Sequence, residues 1–210
     1  MKVLIVAATE TELAPLRLQT GEIPHEIRFA VHGPGLLSAT CHLTTLLQSK
    51  PDAVLQVGIA GSFSEALPPG SVVAVESEQL GDAGAEDHER QLSLFDLGLL
   101  APNDPPFSDQ RLRNPHRNLF PSHLPLVHGL TVNLCTGSAA TAERRSKMGA
   151  DIETMEGAAL HYVALLQGIP FLQLRGISNR AEPRSRAAWK IHEALSACHG
   201  EVIHLLKQWS

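Results

Sequence analysis

Residues 2–8 (KVLIVAA) form an unbroken apolar run, rich in β-branched side chains and without alternation. A strand of that kind is covered on both faces, as in a parallel sheet with helices above and below it. Residues 53–58 (AVLQVG) and 171–177 (FLQLRGI) repeat the pattern, while 71–76 (SVVAVE) and 130–134 (LTVNL) read as further strands. A hairpin strand is expected near 27–31. Between the strands, apolar positions recur at helical spacing. Leu36, Leu37, Thr40, Leu43, Leu46 and Leu47 make one stripe that stops before Pro51, and Ile191, Leu195, Cys198, Val202, Leu205 and Trp209 make a closing one. Helices are also expected over about 139–148 and from residue 157 to about 167. The alternation predicts an α/β protein, and 210 residues at 43% hydrophobic suit one domain with one good-sized core.

One stretch breaks the rhythm. Residues 91–128 hold six of the chain's 14 prolines, Pro102, Pro105, Pro106, Pro115, Pro121 and Pro125, and cannot be regular for long. Their apolar residues, including Phe95, Leu99, Phe107 and Phe120, predict burial against something, so the segment reads as a cover or an interface. Arg90, Arg111, Arg113, His116 and Arg117 suit either an acidic ligand tail or a solvated rim.

Composition narrows the function. With 17 basic and 22 acidic residues, a formal charge of -5 and no basic run, nucleic acid is not expected as the main partner. Residues 3–8 are too few to span a bilayer and carry neither a charged flank nor a cleavage site, so no membrane is expected and a cytoplasmic protein is. Cys41, Cys135 and Cys198 are odd in number and widely spaced, and read as small buried hydrophobes. The 11 histidines show no short ligand spacing, and neither a metal nor a cofactor is predicted. A small molecule is the expected partner.

Candidate chemistry lies at the strand ends. In residues 151–159 (DIETMEGAA) a strand runs into a small-residue helix, and helix N-termini of this kind leave backbone N–H groups pointing at open space. Glu156 there reads as an acceptor for ligand hydroxyls beside the adaptable Met155, or as a carboxylate that interacts with the helix dipole. Thr9 and Glu12 have the spacing of a capping box, which explains Glu12 structurally, yet Glu12 lies one turn past the first strand, where open α/β sheets place ligands. Gly33-Pro34-Gly35, Gly58-Ile59-Ala60-Gly61-Ser62 and Ser178-Asn179 end other strands. Glycines at such points serve close backbone approach to a ligand or merely tight packing. Arg175, inside an apolar strand, needs a partner, with Glu156 or Glu153 as candidates. Two carboxylates and an amide converging on one cleft would suit glycosidic cleavage.

On these residues the chain resembles the nucleoside phosphorylase and hydrolase superfamily across nearly its whole length. The start MKVLIVAATETEL is similar to that of the methylthioadenosine/S-adenosylhomocysteine nucleosidases, with Glu12 at their water-activating glutamate. Met155-Glu156 matches their Met-Glu, whose carboxylate binds the ribose hydroxyls. Arg175 to Asn179 matches their Arg-x-Ile-Ser-Asp, and Gly58-Ile59-Ala60-Gly61 their Gly-Ser-Ala-Gly. The closer resemblance is to the futalosine hydrolases, the menaquinone-pathway members of this group, through residues 81–87 (GDAGAED), 153–159 (ETMEGAA), 177–184 (ISNRAEPR) and Trp189.

The resemblance implies a single three-layer α/β/α domain over residues 1–210, built on a central mixed, mostly parallel twisted sheet. It implies a nucleoside substrate and a homo-oligomer, a dimer or a dimer-based tetramer. Glu12 and Asn179 become the catalytic candidates; Glu156, Met155, Arg175, Gly58, Ala60, Gly61, Thr141 and Ser178 become the substrate-binding ones. Two departures from the adenine-specific nucleosidases stand out: Asn179 replaces their aspartate, and Ala140 falls about where they stack a phenylalanine. An amide suits a 6-oxopurine such as hypoxanthine, because it donates to the oxygen at position 6 while accepting the proton that gathers on N7. An adenine nucleosidase, a phosphorolytic 6-oxopurine enzyme and a non-catalytic nucleoside sensor of the same fold are the alternatives. Intact Glu12 argues against the last.

Overall fold

The computed structural model describes the chain apart from residues 22, 89, 184–188 and 210. The three long apolar runs become the centre of the molecule. β1 (Lys2–Ala7), β3 (Ala53–Ser62) and β10 (Phe171–Arg180) lie side by side and parallel, and β2 (Glu26–Val31) extends the sheet beyond β1. The side chains of β1, β3 and β10 are mostly buried on both faces, as an uninterrupted run requires.

Helices fill the two outer layers. On one face, α1 (Glu10–Arg17) and α5 (Ile191–Gln208) bury Leu13, Leu16, Cys198, Val202 and Leu205 against β1, β3 and β10. On the other, α2 (Leu36–Leu46) and α4 (Gly157–Gln167) bury Leu43, Leu160 and Val163. The short α3 (Ala139–Ser146) stands apart from both cores. Among the described residues no helix is long and apolar enough to cross a membrane.

The sheet does not stay open. β10 continues antiparallel to β4 (Val72–Leu80), β4 runs parallel to β8 (Leu126–Thr131), and β8 runs parallel to β9 (Ile152–Thr154). β9 then returns to the end of β3, where Gly61 faces Glu153. Two residue pairs suffice for this closure because β3 is longer than its apolar run.

Several boundaries differ from the sequence reading. β2 is a parallel edge strand joined to β1 by α1, not half of a hairpin. Residues 58–62 continue β3 past the end its apolar run marks, and β10 likewise runs on to Arg180. β8 starts at Leu126, where His128 and Gly129 interrupt the apolar pattern that shows at 130–134. The second half of the 81–87 motif becomes β5 (Gly84–Asp87), which forms a separate hairpin with β6 (Arg90–Ser93).

Residues 91–128 contribute β7 (Leu112–Arg113) on the edge of β4 and are otherwise mostly irregular. Phe95, Phe107 and Leu112 pack near Ala158, so their burial is against this domain's own α4. Cys198 is buried as expected, and burial pushes its thiol up to about 12; Cys41 is instead exposed on α2 and Cys135 half-buried.

Candidate active site

The carboxyl ends of β1, β3, β9 and β10 open on a cleft of about 300 Å³, near the lower end for small-molecule sites. Of the ten residues singled out from the sequence, Glu12, Ala60, Gly61, Met155, Glu156, Arg175, Ser178 and Asn179 line it. Gly58 lies beneath it. Thr141 is not brought to it: its N–H donates to the Ser138 side chain at 3.2 Å and its hydroxyl accepts from the same group, so it serves the start of α3.

Glu12 enters through its helix. Its Oε2 accepts from both the N–H and the hydroxyl of Thr9 at 2.9 Å, which satisfies an otherwise orphan amide of α1. Its Oε1 points the other way, 2.9 Å from where a side-chain carbon on Gly58 would sit. Arg175 Nη1 is only 2.5 Å from the same place. Gly58 and Arg175 are paired across β3 and β10, so the absence of a side chain at 58 is what lets both groups cross the strand.

Glu156 stands at the N-terminal edge of α4. The helix amides behind it do not face open space as expected, since the N–H of Gly157 donates to Thr154 Oγ1 and that of Ala158 to Thr131 Oγ1. Glu156 turns to the cleft instead. Its Oε1 accepts from the N–H of Gly35 at 2.8 Å, and its Oε2 is 4.0 Å from Arg175 Nη1. Gly35 has φ +80°, a left-handed conformation that favours glycine and aims its amide at this carboxylate. Burial pushes Glu156 above the usual carboxylate range, opposed by Arg175 and the Gly35 amide; the charge of Glu12 adds to the upward push. A buried acid pushed above its usual range, set in a cleft beside a guanidinium and a second carboxylate, is the kind of perturbed group that marks functional sites.

Asn179 owes its direction to an irregularity. The pairing of β10 with β3 shifts between Ile177 and Asn179, leaving Ser178 as an extra residue, and a bulge of this kind re-aims the side chain beside it. The Ser178 hydroxyl donates to Asn179 Oδ1 at 2.7 Å, and Asn179 Nδ2 donates to the Arg180 carbonyl at 2.7 Å. These partners fix which end of the amide is which. One N–H and one oxygen lone pair remain for a ligand.

A model of the Phosphorylase superfamily matches residues 3–207. The chain belongs to that superfamily. Among its relatives, the futalosine hydrolase of Streptomyces coelicolor is 35% identical over 170 residues, covering 78% of this chain and 70% of that one. The futalosine hydrolase of Thermus thermophilus is 31% identical over 186 residues, covering 84% and 79%. In architecture the chain matches the S-adenosylhomocysteine nucleosidase of Streptococcus pyogenes with a TM-score of 0.82 at 18% identity, over 100% of this chain and 98% of that one. The native futalosine hydrolase of Helicobacter pylori matches with 0.76 at 20% identity, over 97% of each.

In this superfamily member the cleft also holds residues that the sequence did not single out for it. Cys135, Thr136, Glu153, Ile191 and Leu195 line it, as does Trp189, quoted only as part of a motif. Glu153 is not the partner of Arg175. It is buried, accepts from the N–H and hydroxyl of Thr136 at 2.8 and 2.5 Å, and pairs with Arg145 at 2.7 Å. Asp82 joins the group by accepting from the N–H and side chain of Asn133. The signal was present, since Asp82 and Glu153 both lie in quoted motifs; the helical Arg145 carried none.

Residues 91–128 do not line this cleft, and with the end of β4 they wall a separate hollow of about 290 Å³. Their basic residues are engaged locally: Arg117 pairs with Glu76, Arg113 with Asp109, and Arg111 donates to the Gly149 carbonyl. Arg184 lies outside the described residues. No three His, Cys, Asp or Glu side chains cluster as metal ligands among the described residues.

Proposed function

We propose that the chain is a futalosine hydrolase, which cleaves the N-glycosidic bond of futalosine and releases hypoxanthine in the futalosine route of menaquinone biosynthesis. The observation that carries this reading is the amide of Asn179, pinned by Ser178 and the Arg180 carbonyl so that one donor and one acceptor are left over. A 6-oxopurine offers the matching pair, an acceptor at O6 and a developing donor at N7. Adenine offers a donor at position 6, and a buried mismatch of that kind discriminates by roughly 10^4-fold. The similarity to futalosine hydrolases supports the same choice.

The chemistry follows from the two carboxylates. Glu12, through Oε1, takes a proton from a water held near Gly58 to Gly61 and directs it at C1′ as the glycosidic bond lengthens. Glu156 accepts from the ribose 2′- and 3′-hydroxyls, with Arg175 and the Gly35 amide favouring its ionised form against the effect of burial. Met155, Ala60 and Ser178 form the walls; the base leaves with the bonding electron pair and takes its N7 proton from solvent water, and Asn179 steadies it as it departs. Hydrolysis is favoured over phosphorolysis because Arg175 is the one cationic side chain lining the cleft among the described residues, and it is committed to Glu156 and Gln56. Two carboxylates beside it would repel a phosphate.

The same reading makes the protein a cytoplasmic homo-oligomer, a dimer or a dimer-based tetramer, in which the proline-rich segment covers a neighbouring copy's cleft rather than its own. Leu134 and Leu99, 77% and 68% exposed, are surfaces that association would cover. Sedimentation of the purified chain tests this directly, and a monomer at micromolar concentration would refute it.

Base release from futalosine, inosine and methylthioadenosine, followed by chromatography in phosphate-free buffer, tests the activity. Hypoxanthine from futalosine far faster than from inosine, with methylthioadenosine untouched, is the expected result. Adenine appearing from methylthioadenosine at a comparable rate would replace it with a methylthioadenosine/S-adenosylhomocysteine nucleosidase.

A further inference from the structure

The polar chain that begins at Glu156 does not end at Arg175. Arg175 Nη2 donates to Gln56 Oε1 at 3.1 Å, Gln56 Nε2 sits 3.0 Å from His32 Nε2, and His32 Nδ1 is 2.8 Å from the carbonyl of Gly33. Each of these groups admits one assignment. A guanidinium has only donors, so the oxygen of Gln56 must face Arg175 and its nitrogen must face His32. Nε2 of His32 then accepts, and its proton sits on Nδ1, where the Gly33 carbonyl takes it. Gly33 is two residues from Gly35, whose amide holds the far oxygen of Glu156, so the chain closes on itself.

Arg175, Gln56 and His32 are all essentially buried, at 2%, 0% and 1% exposed. Neither Gln56 nor His32 lines the cleft. Arg175 is weakly tied without them: its Nε has no hydrogen-bond partner, its approach to Glu156 is long at 4.0 Å, and among the described residues Gln56 is its one hydrogen-bond acceptor. A buried glutamine on a central strand is an expensive way to fill space that a leucine would fill, unless its acceptor is needed.

We propose that Gln56 and His32 are positioning residues for the ribose clamp: together they fix the Arg175 guanidinium and so the Glu156 carboxylate, and preference for ribose over 2′-deoxyribose depends on them although they do not touch substrate. The inference rests on the reading of Glu156 as the acceptor for ribose hydroxyls.

The test compares kcat/KM for futalosine and a synthetic 2′-deoxy counterpart in the wild type and in Glu156→Gln, Gln56→Leu and His32→Leu, with each variant's fold checked by circular dichroism and melting. Misplacing a clamp by about 1 Å costs around 10²-fold. Gln56→Leu is therefore expected to lose about that much on futalosine, little on the deoxy substrate, and to approach the ratio of Glu156→Gln. His32→Leu, which leaves the amide of Gln56 unpinned, moves the ratio in the same direction and serves if Gln56→Leu does not fold. Should Glu156→Gln abolish the preference while both core variants slow the two substrates equally, Gln56 and His32 are merely structural and the inference is overturned. A preference that survives Glu156→Gln would overturn the clamp itself, and the inference with it.

Discussion

Glu12 turns its two carboxylate oxygens in different directions, and substitutions can separate the cap from the proposed base. Oε2 is the capping oxygen, bound to Thr9, while Oε1 is left for the cleft. Glu12→Gln keeps an oxygen for the cap and loses the base, so base release is expected to fall by about 10²–10⁴-fold with stability changed by less than about 1 kcal/mol. Large destabilisation with turnover retained, read from melting and chromatography together, would leave Glu12 a cap alone. Gly58 tests the geometry from below. An alanine there would place a methyl group 2.5 Å from Arg175 Nη1 and 2.9 Å from Glu12 Oε1. Gly58→Ala is expected to lower kcat/KM by about 10²-fold at a stability cost of about 1–3 kcal/mol; wild-type kinetics would mean that neither group needs its present position. The cap and the cleft position of Glu12 were legible because a capping box and a strand end are local patterns. The reason for Gly58 was not, because it depends on Arg175 lying opposite it on a strand far along the chain.

Elements show the same division between local and distant information. Apolar runs located β1, β3 and β10, but the ends of β3 and β10 were lost where small or polar residues continue the strand into the cleft. β2 was recognised as a strand and given the wrong partner, since periodicity says which face is buried and nothing about which neighbour it pairs with. The 133–136 loop is a further case. It bends over the cleft because buried Glu153 and half-buried Asp82 hold it, and Arg145 pairs with both carboxylates. In sequence Arg144-Arg145 on a short polar helix looks like solvated surface. Replacing Arg145 by methionine would leave Glu153 buried without its counter-charge, a loss of about 3–5 kcal/mol in urea denaturation. Adding Glu153→Gln should recover part of it, and KM should rise in the single variant because Thr136 and Cys135 line the cleft. A single variant as stable as the wild type would show that the ion pair contributes nothing net.

Across the whole molecule, the buried polar layer predicts how stability depends on pH. Gln56 and Gln173 face each other across β3 and β10; His32 lies beside the first, and His161 shares the second's buried layer. Burial lowers both histidines from 6.5 to about 4. A histidine depressed in the folded state binds its proton first in the unfolded one. Its contribution is therefore complete above pH 6.5 and is lost as pH falls toward 4, at about 1.4 kcal/mol per pH unit and roughly 3 kcal/mol in all for each. Glu78 and Glu156 act in the opposite sense, because burial raises both and their protonation favours the fold as pH falls. The net slope of wild-type stability on pH thus mixes the two, and a single substitution isolates one. His161 Nδ1 donates to the Leu112 carbonyl, which an asparagine amide can also do, and the residue stands away from the cleft. His161→Asn is expected to reduce the slope of unfolding free energy between pH 6.5 and 4.5 by about one proton's worth, 1.4 kcal/mol per unit. The comparison is made by urea denaturation at several pH values. An unchanged slope would mean that His161 titrates alike in the folded and unfolded chain, so that the buried layer tolerates the charge.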